Sequence, residues 1–370
     1  MNTERLRLGP LAISTGGLLL TTVFYTFPRA VAIAAATAAP WMILVVGALL
    51  FLLYWPVLAT LARRPGTTLI DLARAAGGRP LAIVTALLLG GYFLASAGIT
   101  LRQSSEMVVT SLYPHTPQTF AMVSLVAAAA VAAHMSPAGL VWIGAVSAPP
   151  ILLAVLIVLV GNIGWGQFRN LLPLSGPGLL PLSTGLLPLT AHFYPFAYLT
   201  MFAGLLASPR GLVKGAATVV GVTSAVFALV ILFYLMVFPL PGGIDVPFPL
   251  FEMTRLVQGG RYLERVDAIW IAFWTFGSAV RLASTLMTTS LMFKHAFRLP
   301  DHRGAVLPLT MAILSWALVP ANQVGALDIE TYILRPWGFV FVPVAPLAIA
   351  LVAGWRQRRQ HRQAGGSHHA

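Results

Sequence analysis

The chain has 370 residues, of which 58% are hydrophobic and 9% are charged, and its mean hydropathy is +0.84. This composition excludes an ordinary soluble domain and predicts a protein that crosses a lipid bilayer many times. The absence of cysteine excludes disulfides, thiolate metal sites and cysteine nucleophiles, and the net charge of +13 is spread over many loops, which argues against a nucleic-acid partner.

Apolar runs in the first half of the chain predict five transmembrane helices and one surface helix. The surface helix covers residues 67–77, where a threonine cap and a glycine stop enclose an amphipathic pattern. Residues 161–189 contain four prolines and are predicted to form a long external loop. The transmembrane helices, here called spans 1 to 5, are predicted at residues 11–27, 41–61, 80–112, 120–133 and 140–160.

The second half predicts five more spans, about ten in all. A second surface helix is predicted at residues 251–257, and span 6 is predicted to break near Pro195. Spans 6 to 10 are predicted at residues 190–207, 212–238, 262–293, 305–319 and 337–355. The chain is therefore predicted to be an all-α integral membrane protein, with one polytopic domain over residues 1–355 and a basic cytoplasmic tail over residues 356–370.

Basic residues indicate how the predicted spans are oriented in the membrane. They are roughly three times as frequent in the segments on the side of the two termini as in the loops on the opposite side. The positive-inside rule therefore predicts that both termini are cytoplasmic.

Two similar stretches interrupt the first span of each half. Residues 21–29 read TTVFYTFPR and residues 190–197 read TAHFYPFA, so each combines aromatic and threonine side chains with a proline. Paired interrupted helices mark a binding site near the midplane of many membrane transporters. The pattern predicts two related halves, residues 11–161 and 190–355, each opening with an interrupted helix; a chance similarity is the alternative.

Two arginines lie deep in predicted spans 3 and 8, the third helix of each half. A charge at membrane depth is costly, so Arg102 and Arg281 are expected to face protein or water and to have partners. Glu106 follows Arg102 by one helical turn and is the only acid predicted deep in a span. One interpretation is a structural pair that fixes helix packing. The other is that an arginine faces a central cavity, where it binds a carboxylate or replaces a coupling cation.

The interrupted stretches supply candidate ligand-binding side chains, because unwound backbone and nearby aromatic and hydroxyl groups can hold a small zwitterion. Ordinary helix packing is the alternative role for each aromatic side chain. No metal site, cofactor site or catalytic residue is predicted, since the sequence contains none of the common hydrolase, zinc or nucleotide-binding motifs. The candidates are Thr21, Thr22, Tyr25, Phe27, Phe193, Tyr194, Phe196 and Tyr198, together with Arg102 and Arg281.

Several short runs resemble the GerAB family of spore germination proteins, the permease-like B subunits of GerA-type germinant receptors, which are related to amino acid-polyamine-organocation transporters. The most specific is the Leu-Glu-Arg-x-Asp run at residues 263–267. Trp274 and the segments FRLPDHR at residues 297–303 and VPAN at residues 319–322 add to it. In the first half, Phe27-Pro28, RRPGTT at residues 63–68 and NLLP at residues 170–173 agree.

The resemblance implies a five-plus-five inverted repeat of the LeuT type, with spans 1 and 6 discontinuous. It also implies residence in the inner membrane of a bacterial spore, assembly with an A-type subunit and a C-type lipoprotein, and the sensing of a nutrient such as an amino acid. Trp274 becomes a further ligand-binding candidate. The candidates for structural or partner contacts are Arg29, Glu106, Glu264, Arg265 and Asp267.

Two features depart from the family pattern and keep other functions open. The glycine-rich break usual in span 1 is replaced by Thr21-Thr22-Val23, and the acid common after Phe196 in span 6 is replaced by Ala197. The leading interpretation is a nutrient receptor subunit. The alternatives are a secondary transporter of amino acids or related organic cations, and a membrane scaffold with a vestigial site.

Overall fold

The computed structural model describes residues 5–257 and 266–366, and these residues form a helical bundle. Glu264 and Arg265, two candidates for partner contacts, lie outside the described residues. Large apolar side chains such as Leu52, Val131 and Val146 are exposed on the outer faces of the helices, as expected where a protein meets lipid. Several helices are long and apolar enough to cross a bilayer.

The first five spans follow the predicted order, with a long interrupted span 1. Span 1 consists of α1 (Leu8–Leu20), a 3-10 segment (Thr21–Phe24) and α2 (Phe27–Ala35). Spans 2 to 5 are α3 (Ala39–Ala62), α4 (Leu69–Ser111), α5 (Gln118–Ala133) and α6 (Pro137–Gly161). Gly78, at φ +76°, kinks α4 and separates its first two turns, the predicted surface helix, from span 3.

The last five spans contain two further irregular helices. Span 6 consists of α7 (Leu179–Leu189), a 3-10 segment (Thr190–Tyr198) and α8 (Leu199–Phe202). Next come α9 (Leu212–Val237), the surface helix α10 (Pro249–Leu256), α11 (Val266–Phe297) and α12 (Arg303–Ala317). Span 10 consists of α13 (Gln323–Asp328), α14 (Arg335–Phe339) and α15 (Ala345–Gly366), joined by π-helical segments at Ile329–Leu334 and Val340–Val344.

Three predicted boundaries are wrong, and a proline lies close to each of them. Span 1 continues through α2, since Pro28 lies in the first turn of that helix, where the missing N–H is not needed. The predicted external loop ends in α7, whose prolines lie near its two ends. Span 10 begins at Asn322, whose side chain caps Gly325 at 2.9 Å, well before the predicted start at Trp337.

Packing between the helices repeats from one half to the other. α1 packs on α6, and the last span packs in the same way on span 6. α5 packs on α11, and in the same way α12 packs on α4. Corresponding helices of the two halves also contact each other: α3 packs on α9, and α4 packs on α11. This pattern is the one expected of a five-plus-five repeat, and it brings the interrupted spans 1 and 6 together inside the bundle.

Candidate functional site

The two 3-10 segments lie at the centre of the bundle with their side chains buried. All nine residues from Thr190 to Tyr198 are buried, as are the four from Thr21 to Phe24. A 3-10 stretch within a longer helix changes the hydrogen-bonding pattern of the backbone and often marks a functional hinge. Span 1 is therefore interrupted although residues 21–26 contain no glycine.

A cavity lined by apolar, polar and charged side chains lies where these segments meet α4, α11 and span 10. The space open to the centre of a water-sized sphere is about 50 Å³, several times the roughly 10–15 Å³ that one water needs. Its aromatic walls are Tyr25, Phe27, Tyr92 and Tyr194. The cavity is therefore suited to a small polar ligand with an apolar part.

Arg281 lines this cavity and is 3% exposed. Its Nε donates to the hydroxyl of Tyr194 at 2.9 Å, and its Nη1 donates to the hydroxyls of Thr21 at 3.1 Å and Thr22 at 2.8 Å. The guanidinium carbon lies 4.7 Å from the ring centre of Tyr194 and 5.6 Å from that of Tyr25. Within the described residues, no carboxylate forms an ion pair with it, and its Nη2 makes no hydrogen bond.

Glu330 also lines the cavity and joins four spans. One carboxylate oxygen, Oε2, accepts hydrogen bonds of 2.8 Å from Thr26 in span 1 and from Gln103 in span 3. The other, Oε1, lies 3.6 Å from Nη2 of Arg335 and 3.9 Å from Nδ1 of His192 in span 6. The Glu330 side chain is 15% exposed, so its charge is mostly shielded from water.

Two buried nitrogens beside Glu330 have no hydrogen-bond partner in the described part of the chain. They are Nε of Arg335 and Nε2 of His192, and both residues line the cavity. An unpaired buried polar atom is costly unless water or a ligand satisfies it. Beside Glu330, the fold itself therefore leaves two polar atoms unsatisfied among the described residues.

The predicted ligand-binding residues divide into two groups. Those that line the cavity are Thr22, Tyr25, Phe27, Tyr194 and Arg281. Thr21 contacts Arg281, and the remaining aromatic candidates pack elsewhere. Phe193 packs on Phe227, Phe196 on Tyr54, Tyr198 bonds to Thr285 at 2.7 Å, and Trp274 packs on Phe24, Tyr25 and Phe248.

Arg102 lies away from the cavity lining and has the contacts of a structural residue. Its guanidinium donates to the carbonyls of Pro320 at 2.9 Å and Ala321 at 3.1 Å, and its Nη2 lies 3.6 Å from Glu106. Glu106 also accepts a 2.7 Å hydrogen bond from Gln118. These contacts fasten span 3 to span 4 and to the loop before span 10.

The other partner-contact candidates within the described residues lie near the ends of helices. Arg29, in α2, donates to the carbonyl of Ile244. Asp267 lies in the first turn of α11.

Sequence reasoning missed Glu330, Arg335, Gln103 and Tyr92, which all line the cavity. Glu330 lies in span 10, so Glu106 is not the only acid deep in a span, and Arg335 is 8% exposed and not an external loop residue. A signal was present: Asn322 is a strong helix cap, and Ile329 and Ile333 follow at helical spacing. Gly338 is needed nearby, because a side chain there would overlap Ala191 of span 6.

Comparison with known proteins identifies the family. The model of the spore germination protein family matches residues 15–324 of this chain. The chain belongs to that family. It is 19% identical over 357 residues to spore germination protein YndE of Bacillus subtilis, which covers 92% of this chain and 94% of YndE. It is 23% identical over 291 residues to spore germination protein KB of the same organism, covering 74% and 75% of the two chains.

Solved structures show what the fold is. The structure of MhsT in complex with L-phenylalanine superposes with a TM-score of 0.70 at 14% identity, covering 94% of this chain and 88% of MhsT. Mhp1, a nucleobase-cation-symport-1 family transporter in a closed conformation with bromovinylhydantoin bound, gives 0.63 at 14% identity, covering 92% and 78%. A manganese transporter of Eremococcus coleocola gives 0.53 at 14% identity, covering 92% and 77%.

These comparisons confirm three predictions. The resemblance to germination proteins, the all-α LeuT-like membrane fold and the multi-pass membrane location all hold. The family is one of spore germination proteins, and two of the solved structures that share its fold are described as transporters. The matched family region ends at residue 324, so Glu330 and Arg335 lie beyond it.

Proposed function

We propose that this chain is a nutrient-sensing subunit of a germinant receptor in the spore inner membrane, and that it binds a small amino acid in its central cavity. The observation that carries the proposal is the distribution of charge around the cavity. The lining contains the guanidinium of Arg281, which has no carboxylate partner among the described residues, and the carboxylate of Glu330, whose Oε1 also lies 3.6 Å from Arg335. A zwitterion is a small molecule that complements both the free guanidinium and the carboxylate.

The ligand would be oriented by its two charged groups. Its carboxylate would accept hydrogen bonds from Nη2 of Arg281 and from the hydroxyl of Thr22, and its ammonium would face Glu330. Tyr194 and Phe27 would pack on its side chain. Because the space open to the centre of a water-sized sphere is only about 50 Å³, a small side chain is favoured, and a larger one requires the spans to move apart.

Signalling would follow from the contacts of Glu330. This residue connects spans 1, 3, 6 and 10, so an ammonium that competes for its oxygens would change how the four spans pack. A ligand shifts such an equilibrium only by as much as its affinity differs between the two conformations. An A-type subunit and a C-type lipoprotein would respond to this change in the populations of the two conformations.

A thermal-shift screen of the purified protein against amino acids, sugars and nucleosides tests the ligand class. We expect a small amino acid to raise the melting temperature, and Tyr194→Ala to weaken that response. The matched control is Tyr198→Ala, which removes a buried tyrosine one turn away that does not line the cavity. Sugars or nucleosides acting alone, or equal responses in both variants, would refute the amino acid site.

The second candidate function is secondary transport of amino acids or related organic cations. It is favoured by the shared fold, since Mhp1 is described as a transporter and MhsT was solved with an amino acid bound. Counterflow of labelled amino acid in proteoliposomes separates the two functions. Flux would support transport, whereas ligand binding without flux would support sensing.

A further inference from the structure

We propose that the guanidinium of Arg281 permanently occupies a monovalent-cation site formed by spans 1 and 6, so that the cavity works without sodium. The inference rests on the proposed function where it concerns ligand binding. Its test below needs no ligand.

The groups around the guanidinium are a set of uncharged oxygens. They are the carbonyl of Leu18 at 3.4 Å, the hydroxyls of Thr21 and Thr22 at 3.1 and 2.8 Å, and the hydroxyl of Tyr194 at 2.9 Å. Carbonyl and hydroxyl oxygens are the ligands that hard cations such as sodium prefer. Removing the arginine side chain would therefore leave four oxygens directed at a space of the kind that binds a small cation.

The backbone around this set adds to the attraction for positive charge. Leu18 lies in the last turn of α1, where carbonyl groups carry a partial negative charge of about half an electron at the helix end. In transporters with discontinuous helices, such half-helix C-terminal ends and unwound carbonyls coordinate the coupling ion. In this chain, a side chain of α11 supplies the positive charge at that position.

The other buried arginine, Arg102, has partners of a different kind, so a set of neutral oxygens is not the general way in which this bundle holds a buried guanidinium. Arg102 has Glu106 at 3.6 Å, so a carboxylate accompanies its guanidinium. Arg281 is balanced by dipoles alone among the described residues. Among the described residues, the guanidinium of Arg281 therefore supplies the formal charge in a set of otherwise neutral oxygens.

The stretch of α11 that carries Arg281 is fastened to both interrupted spans. Ser278, one turn before Arg281, lies 2.7 Å from the hydroxyl of Tyr25 in span 1, and Thr285, one turn after it, lies 2.7 Å from the hydroxyl of Tyr198 in span 6. A covalently attached cation cannot dissociate from this position. The link between spans 1, 6 and 8 is therefore independent of the ion gradient.

The experiment measures how cations affect the melting temperature of purified Arg281→Ala. Because a molecule that binds only the folded state stabilises it by mass action, we expect about 10 mM guanidinium or sodium to raise the melting temperature by several degrees. Choline chloride controls for ionic strength. Urea at the same concentration controls for hydrogen bonding, since it has the shape of guanidinium without the charge.

Three proteins serve as comparisons. The wild type and Arg281→Lys keep the attached charge, and we expect both to respond equally to sodium and choline. Arg29→Ala removes an arginine that also bonds a carbonyl, that of Ile244, at a site away from the cavity lining, and we expect no cation effect there. If Arg281→Ala does not fold, Arg281→Gln replaces it, because glutamine adds an amide oxygen to the same set without the charge.

A cation response in Arg281→Ala or Arg281→Gln that is absent from the comparison proteins supports the proposal. Equal effects of sodium, guanidinium, choline and urea in the folded variant would overturn it, as would a sodium response of the wild type as large as that of the variant. No ligand is added, so these outcomes are distinct from failure of the amino acid screen.

Discussion

The two buried arginines, Arg102 in span 3 and Arg281 in span 8, occupy corresponding helices of the two halves but have different surroundings. Arg102 donates to two loop carbonyls and lies beside Glu106. Arg281 donates to hydroxyls of the two interrupted spans and faces the cavity. A charge inside a membrane protein needs partners in either case. The two sites differ in their access to the cavity: Arg102 joins helices away from the cavity lining, whereas Arg281 lines the cavity, and its Nη2 has no partner among the described residues.

The largest expected effect is on ligand binding by Arg281→Ala. Removing one partner of a buried charged hydrogen bond costs about 2–5 kcal/mol of binding free energy, which corresponds to roughly thirtyfold or more in Kd. Calorimetric titration with the amino acid found in the screen measures this change. Affinity within about twofold of wild type, at equal protein fold and yield, would mean that Arg281 does not contact the ligand.

Two carboxylates differ in the same way as the two arginines. Glu330 lines the cavity, as Arg281 does, whereas Glu106 lies 3.6 Å from Arg102. Glu330→Gln leaves Arg335 without its buried counter-charge, so we expect the free energy of unfolding to fall by about 1.5–3 kcal/mol. The melting temperature in detergent reports the loss.

The control for this change is Glu106→Gln, whose side chain is 25% exposed and more accessible to water. We expect a smaller loss there. The double variant Glu330→Gln with Arg335→Met should recover part of the stability, since both charges are then gone. Additive effects of the two substitutions would show that this ion pair contributes little.

Arg102→Ala is expected to have a smaller effect than Arg281→Ala, and to lower the stability of the fold instead of the affinity for the ligand. The loss of its hydrogen bonds to Pro320 and Ala321 should lower the unfolding free energy by about 1–2 kcal/mol. Ligand affinity should stay within about twofold of wild type. A large loss of affinity with unchanged melting temperature would reverse the assignment of the two arginines.

The sequence predicted one charged residue of the cavity lining, Arg281, and missed another, Glu330, for a physical reason. Arg281 stands out because a charge within an apolar run is rare and needs an explanation. Glu330 does not stand out, because Arg335 and Pro336 break the apolar run and place it in an apparent loop. Its contact with Gln103 joins residues 227 positions apart, and only the folded chain brings these together.

Backbone irregularity limited the prediction of the fold in the same way. The break in span 1 was detectable from polar and proline residues, yet the π-helical segments of span 10 were not, since their residues are individually compatible with an α-helix. α7 was taken for a loop because of its prolines. The spans themselves were predictable, since hydrophobicity over about 20 residues is a strong signal.

The smallest effect concerns the two tyrosines that fasten the interrupted spans to α11. Tyr25 bonds to Ser278 and Tyr198 to Thr285, both at 2.7 Å, but only Tyr25 lines the cavity. Interhelical hydrogen bonds in membrane proteins contribute about 0.6 kcal/mol on average, so Tyr25→Phe and Tyr198→Phe should lower stability by similar, small amounts. Thermal melts of the two variants measure this.

Ligand affinity separates these two otherwise matched variants. Without its hydrogen bonds to Ser278 and Ser104, the Tyr25 ring is free to shift, and it lies against Arg281 at the cavity end. Tyr25→Phe should therefore weaken amino acid binding severalfold, whereas Tyr198→Phe should leave it unchanged. Equal affinities in a titration of both variants would indicate that the guanidinium is held in place by Thr21, Thr22 and Tyr194 alone, and that the Tyr25 hydroxyl serves only to join span 1 to α11.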